Sequence, residues 1–163
     1  MGMIKPYTFR QAEVEDIPCV MAFLPQFYGT PGCTWRPEYP SPEDITHDVA
    51  VGGLYLLLEG SELISVGYAG PSDELDMLSW TPKHPCELAR FCVRRDLQGR
   101  GIGALMLKRL MAIARAQESY DGLCLLAHHE NPAAHALYEK HGFTKLCEAD
   151  LFDNLWYAYE LVF

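Results

Sequence analysis

The chain has 163 residues, 13 of them basic and 22 acidic, for a formal net charge of −9. That length suits a single domain, residues 1–163, with a buried core, and 49% apolar against 21% charged residues is a globular mix without long disorder. The acidic balance excludes a nucleic-acid backbone as the main partner, because phosphate binding wants a basic face.

In chain order, Tyr7–Ala12 reads as a first strand. Asp16 suits a helix N-cap with Pro18 in the first turn, and Ile17, Val20, Met21 and Leu24 follow at helical spacing. Tyr28–Pro42 is rich in Gly and Pro and holds Trp35 and Tyr39, which predicts a loop whose rings pack down or line a pocket. Ser41, Pro42 and Asp44 open a short helix as cap, first-turn proline and capping-box acid. Gly53–Leu58 and Leu63–Gly70 predict an antiparallel hairpin, and Pro71–Pro85 a polar excursion. The strand Glu87–Arg94 runs into a glycine turn. A helix follows with Ile102, Leu105, Met106, Leu110, Ile113 and Ala114 on one face. Leu123–Ala127 is a buried strand, and Asn131–His141 a helix stopped by Gly142. Phe143–Ala149 and Leu155–Val162 complete the order β-α-α-β-β-β-α-β-α-β-β, an α/β fold with a mixed sheet.

No apolar run approaches the ~20 residues of a membrane helix, so no membrane partner is expected. The segment MGMIKPYTFR lacks an apolar signal core, and Pro6 stands where a myristoylation signal wants Ser or Thr. Six cysteines without a CxxC, several in apolar stretches, suit reduced thiols in a cytoplasmic protein. The histidines form no HExxH, and adjacent His128 and His129 are expected to point apart on a strand end, so no metal is expected.

The informative segment runs from Val93 to Ala104, with Gly99, Gly101 and Gly103 between a strand and a helix. It aims backbone N–H groups and a helix dipole at one spot, where a phosphate can bind. A Walker loop is excluded because no Lys-Ser or Lys-Thr follows the glycines. The run Gly99–Ala104 also fits the dinucleotide fingerprint GxGxxG/A. Against that stand the five residues between Val93 and Gly99, and a next strand ending in Ala127-His128-His129 without a ribose-binding acid. A ligand-free tight turn would need fewer glycines.

Two motifs together resemble the GNAT family of N-acetyltransferases. Gln98-x-x-Gly101-x-Gly103 matches the family's acetyl-coenzyme A signature, after a strand ending in Phe91-Cys92-Val93. Asn131, Ala134, Leu137, Tyr138, Glu139, Gly142 and Phe143 match its second segment, and Phe9-Arg10 with Asp16-Ile17 extend the likeness to the N-terminus. The resemblance implies a mostly antiparallel mixed sheet, acetyl-coenzyme A as cosubstrate and an amine acceptor. It implies that backbone groups of Phe91 and Val93 pair with pantetheine between two splayed strands. Amides of Gln98, Gly99, Arg100, Gly101, Ile102, Gly103 and Ala104 would cradle the pyrophosphate, and Asn131 would bond the pantetheine arm. Tyr138 would protonate the leaving thiolate, as a phenol with a pKa near ~10 can.

The implied reaction is direct attack of a neutral amine in a ternary complex. It also needs an oxyanion donor, for which a strand N–H near Phe91–Val93 serves, and a base. Period-two alternation puts Glu87 on one face with Ala89, Phe91 and Val93, and the resemblance implies a base near that place, often acting through water, which makes Glu87 the expected base. A solvated strand-end carboxylate is the equal alternative, and Asp73, Glu74 and Asp76 are further options better read as an exposed loop. Cys92 reads as a small buried hydrophobe rather than a nucleophile.

Charge divides unevenly: +2 over residues 1–10, −11 over 11–76 and zero over 77–163. Arg94, Arg95, Arg100, Lys108 and Arg109 against Asp96 make a basic seat for a polyanion. The resemblance implies that the N-terminal helices and their loop frame the acceptor. Here that stretch is acidic and carries Phe27, Tyr28, Trp35 and Tyr39, which suits a small cationic amine drawn in by carboxylates and ring faces, or equally a solvated face. A peptide amine, or an acyl-coenzyme A sensor without catalysis, are the alternative readings. The apolar Leu155–Phe163 can extend a sheet into a partner, which makes a homodimer one expectation.

Overall fold

The computed structural model describes residues 7–72 and 75–163, so Asp73 and Glu74 lie outside the described residues. Strand β1 (Tyr7–Gln11) leads through a short turn to helix α1 (Ile17–Phe23), and α2 (Pro42–Ala50) follows the Gly/Pro loop. Strands β2 (Leu54–Glu59), β3 (Glu62–Gly70) and β4 (Pro85–Val93) come next, then α3 (Ile102–Arg115) and β5 (Gly122–His128). Helix α4 (Pro132–Lys140) precedes the closing hairpin β6 (Thr144–Leu151) and β7 (Asn154–Val162). The expected element order holds. The sheet runs β1-β2-β3-β4-β5-β7-β6, and only β4 and β5 pair in parallel.

Helices cover both faces, so the inner strands are apolar on both sides. In β2, Leu54 and Leu56 pack towards α1 and α2, while Tyr55 and Leu57 pack with α3. This is why β2 reads as a continuous apolar run and not as an alternating one. In α3, Ile102, Met106, Leu107, Leu110 and Ala114 are buried, and Leu105 and Ile113 lie at the border of the core. Ser41 accepts the Asp44 N–H and Asp44 accepts the Ser41 N–H, the reciprocal cap expected for α2.

Two expectations are corrected. Asp16 does not cap α1 with its side chain. Its carboxylate instead takes both Arg10 guanidinium nitrogens, at 2.7 and 2.8 Å, and the Glu13 N–H at 2.7 Å, tying β1 to the start of α1. Arg10, one residue before the end of β1, offers two charged donors, which outcompete the helix's own N–H groups. Second, Leu155–Phe163 is not free to extend the sheet. Strand β7 is paired on both sides, by β5 and β6, and β6 forms that edge.

The bonds from Arg10, and then the Glu13 N–H, hold the Asp16 carboxyl below its ordinary value of 3.8. A carboxyl lowered on folding stabilises the fold fully above its unfolded pKa and loses that contribution as pH falls through the folded one. Asp16→Asn is therefore expected to cost about 1 kcal/mol at pH 7. The difference from wild type should shrink as urea melts are repeated at successively lower pH below the ordinary carboxyl pKa.

Candidate active site

Strands β4 and β5 stay paired only from Pro85–Gly122 to Glu87–Cys124 and separate beyond that point. The opening leads into a cleft of about 860 Å³ that reaches both faces of the sheet. It is lined on one side by Trp35, Tyr39 and Asp48, along its floor by Glu87 to Val93, and on the other side by Asn131 and Tyr138.

Strand β4 carries the main irregularity. Val66 pairs with Cys92 and Tyr68 with Ala89, so Arg90 and Phe91 together face Gly67 alone. Arg90 supplies the extra residue, with φ at +52°. Such a bulge reverses the alternation beyond it. Before the bulge Leu88 packs with α3 and Ala89 towards α1; after it Val93 and Phe91 pack with α3, and Cys92 towards α1. The expected shared face of Glu87, Ala89, Phe91 and Val93 is thus corrected: Glu87 lies with Ala89 and Cys92, on the face opposite Phe91 and Val93. Period-two counting holds only while the pairing is unbroken. Glu87 is half-buried at the mouth of the strand opening and lines the cleft.

The Arg94 N–H donates to the Ile64 carbonyl at 2.8 Å, which turns Arg94 and Cys92 main-chain groups towards β3. Those of Val93 and Phe91 consequently face the opening. The Val93 carbonyl accepts the Gln98 side-chain amide at 3.1 Å. Gln98 thereby pins the glycine turn to the end of β4, a use of its side chain beyond the expected amide contribution.

Gly99 and Gly101 adopt φ of +81° and +82°, and nothing lies within 4 Å of where a Cβ would stand. Conformation and open access, not crowding, require glycine there. Gly101 is the N-cap of α3, so the first-turn N–H groups of Ile102, Gly103 and Ala104, which lack intrahelical acceptors, open towards the same space. Of the basic side chains, Arg94 is engaged by Asp96 at 2.7 Å and Glu62 at 3.1 Å, while Arg95, Arg100, Lys108 and Arg109 are exposed. The turn therefore fits a pyrophosphate and the strand opening an extended arm.

Asn131 is the N-cap of α4, its Oδ1 accepting the Ala134 N–H at 3.2 Å. The loop before α2 closes over it: a methyl on Gly32 would stand 2.8 Å from the Asn131 Cβ. Tyr138, on α4, is packed among Phe91, Phe143 and Tyr159, with ring centroids 6.3, 5.6 and 5.9 Å away. Burial pushes its phenol pKa up, so it stays protonated throughout the neutral range. Among the described residues its hydroxyl has no hydrogen-bond partner, yet it is not sealed from the cleft that Tyr138 lines. Burial also pushes the Cys92 thiol up, the opposite of what a nucleophile needs.

His128 and His129 do not point apart; their rings lie 4.6 Å from each other, because the chain leaves β5 at His128 and turns. The Glu130 N–H donates to His128 Nδ1 at 3.1 Å, and His128 Nε2 stands 3.2 Å from Asn154 Oδ1, which ties the ring to the β6–β7 turn. Of the rings in the acidic stretch, Phe27 is buried against Phe23 and Trp35, and the face of Tyr39 carries the Arg90 guanidinium 5.1 Å from its centroid. Several acids of that stretch are likewise engaged: Asp16 by Arg10, Asp48 by Arg90 and Asp44 in its cap.

Two features escaped sequence reasoning. The Arg90–Asp48–Tyr39 cluster depends on a bulge and a residue 42 positions away. Phe152 is 56% exposed at the tip of the β6–β7 hairpin with φ of +52°, and it lines the cleft mouth. A local signal exists only for the second, in the two-residue turn Phe152-Asp153.

The profile of the acetyltransferase (GNAT) family matches residues 22–143. The chain belongs to that family. No curated protein matches the sequence significantly. Among solved structures, an N-acetyltransferase from Staphylococcus aureus Mu50 is similar, with TM-score 0.76 at 19% identity over 96% of this chain and 98% of that one. The ribosomal-protein-S18-alanine N-acetyltransferase of Escherichia coli superposes with TM-score 0.73 at 18% identity, covering 96% and 94% of the two chains. The putative acetyltransferase yncA of Salmonella typhimurium, described with its cofactor acetyl-CoA, gives 0.75 at 17% identity over 96% and 94%. At these identities the likeness is one of fold. Among the described residues no helix is long and apolar enough to cross a membrane, and no cluster of three or more metal-ligating side chains occurs.

Proposed function

We propose that residues 1–163 form one N-acetyltransferase domain that transfers acetyl from acetyl-coenzyme A to the primary amine of a small acceptor in a ternary complex. The observation that carries this reading is the joining of three features in one place. The β4–β5 opening and Tyr138 line one cleft, and that cleft reaches Gln98, whose side chain ties the left-handed glycine turn before α3 to the end of β4.

Acetyl-coenzyme A supplies an activated thioester whose carbonyl carbon accepts the amine. The chain's own groups do the rest. Backbone groups of Phe91 and Val93 pair with the pantetheine arm, and the N–H groups from Gln98 to Ala104 hold the pyrophosphate. The amide of Asn131 bonds the arm while its Oδ1 caps α4. A strand N–H at Phe91–Val93 stabilises the oxyanion. Glu87, facing the acceptor side, removes the ammonium proton directly or through water. Tyr138 donates its proton to the departing sulfur.

Because the ring of Tyr39 is occupied by Arg90, Trp35 and Tyr68 are left as aromatic walls for the acceptor's body. The test is thiol release with acetyl-coenzyme A across a panel of polyamines, amino acids, arylalkylamines and N-terminal peptides. Turnover with a small amine above the peptides supports the reading. Turnover with peptides alone replaces it by the peptide reading, the activity that the Escherichia coli neighbour's name describes. Coenzyme A binding without turnover on any amine leaves the sensor.

A further inference from the structure

The loop between α1 and α2 forms one wall of the cleft, and it is held by an ion pair that the reaction does not use. Arg36 and Tyr39 close a tight turn with backbone bonds of 2.8 and 2.9 Å, which presents the Tyr39 side chain to β4. Arg90 receives it: Nη1 donates to the Tyr39 hydroxyl at 2.7 Å, and the guanidinium stands over the Tyr39 ring. The same side chain donates from Nε to Asp48 on α2 at 3.0 Å. Arg90 and Asp48 side chains retain only 14% and 9% of their exposure. Burial opposes the charge on each partner, and the contact of each with the other counters it. A buried pair of this kind is costly to leave half-made, so the three groups are expected to move together or not at all.

We propose that Arg90, Asp48 and Tyr39 form a clasp that positions the acceptor loop against the β4 bulge, and so sets affinity for the amine without touching the reacting atoms. All three line the acceptor half of the cleft, beside Trp35, Tyr68 and Glu87. None belongs to the glycine turn. The left-handed backbone of Arg90 adds to the case, since a long side chain is rarely kept in that region unless its surroundings hold it there. The inference rests on the acetyltransferase reading for its kinetic consequence but not for its structural one.

The test uses the full chain with Tyr39→Phe, Asp48→Asn and Arg90→Lys, each read three ways. Tyr39→Phe keeps the ring and removes one charge-assisted bond. It is expected to raise the amine KM ~5–10-fold while coenzyme A affinity by calorimetry stays within about twofold. Asp48→Asn should do more, and Arg90→Lys, which keeps the charge but not the fork, should fall between wild type and Arg90→Met. Deuterium exchange over residues 28–41 should rise in step. An unchanged amine KM, or equal weakening of amine and coenzyme A, overturns the clasp. If the wild type acetylates no amine, the acetyltransferase reading fails, and the exchange measurement alone decides the clasp: a rise in all three variants supports it, and no rise overturns it.

Discussion

Tyr138→Phe is expected to lower kcat by roughly 10²–10⁴-fold while leaving coenzyme A affinity within about twofold. The ring makes the packing contacts with Phe91, Phe143 and Tyr159, and the substitution retains all of them. What it removes is the one group that the buried phenol can bring to a leaving sulfur, a proton. Because burial raises that phenol's pKa, the acid stays loaded beyond its ordinary value of 10. The wild-type rate should therefore show no alkaline fall from Tyr138 across the neutral range. Stopped-time thiol release and calorimetry with coenzyme A separate the two effects. An unchanged kcat would remove Tyr138 from the chemistry and leave it as core.

The second large effect is expected at Gly101. Gly101→Val places a β-branched residue at φ of +82°, which costs roughly 1–2 kcal/mol in backbone strain. It also sets two methyl groups in the open space over the first turn of α3. Losing even one charge-assisted bond to a phosphate weakens binding by roughly 2 kcal/mol, or about 30-fold in the coenzyme A dissociation constant. Calorimetry on protein shown folded by circular dichroism checks this. The same substitution leaves the acceptor wall intact, so an equal loss of amine affinity would mean that the turn supports the whole cleft and not the phosphates alone.

The order of elements and the glycine turn were legible locally. Glycines alternating ahead of an amphipathic stretch, and a capping pair such as Ser41 and Asp44, act through neighbours a few residues apart. Glu87 shows where that legibility stops. Its face was counted from Phe91 and Val93 by twos, and one residue, Arg90, with its backbone in the left-handed region, shifts the count. Nothing in the letters around Arg90 marks a bulge, since arginine has no preference for one. The cause is the pairing of β4 with β3 around Gly67 and the pull of Asp48 and Tyr39 from elsewhere in the chain.

Net charge behaved in the same way. The acidic stretch before β4 suits either a field for a cation or a solvated face, yet Asp16, Asp44 and Asp48 are each engaged inside the fold. The sequence by itself determined the α/β order, the helix caps, the glycine turn and the two motifs of the acetyltransferase family, because each is a pattern of spacing. Tertiary structure decided which face Glu87 shares, that β7 is an inner strand and that the Tyr39 ring is already occupied. Those outcomes depend on distant partners competing for the same groups, and spacing carries no record of that competition.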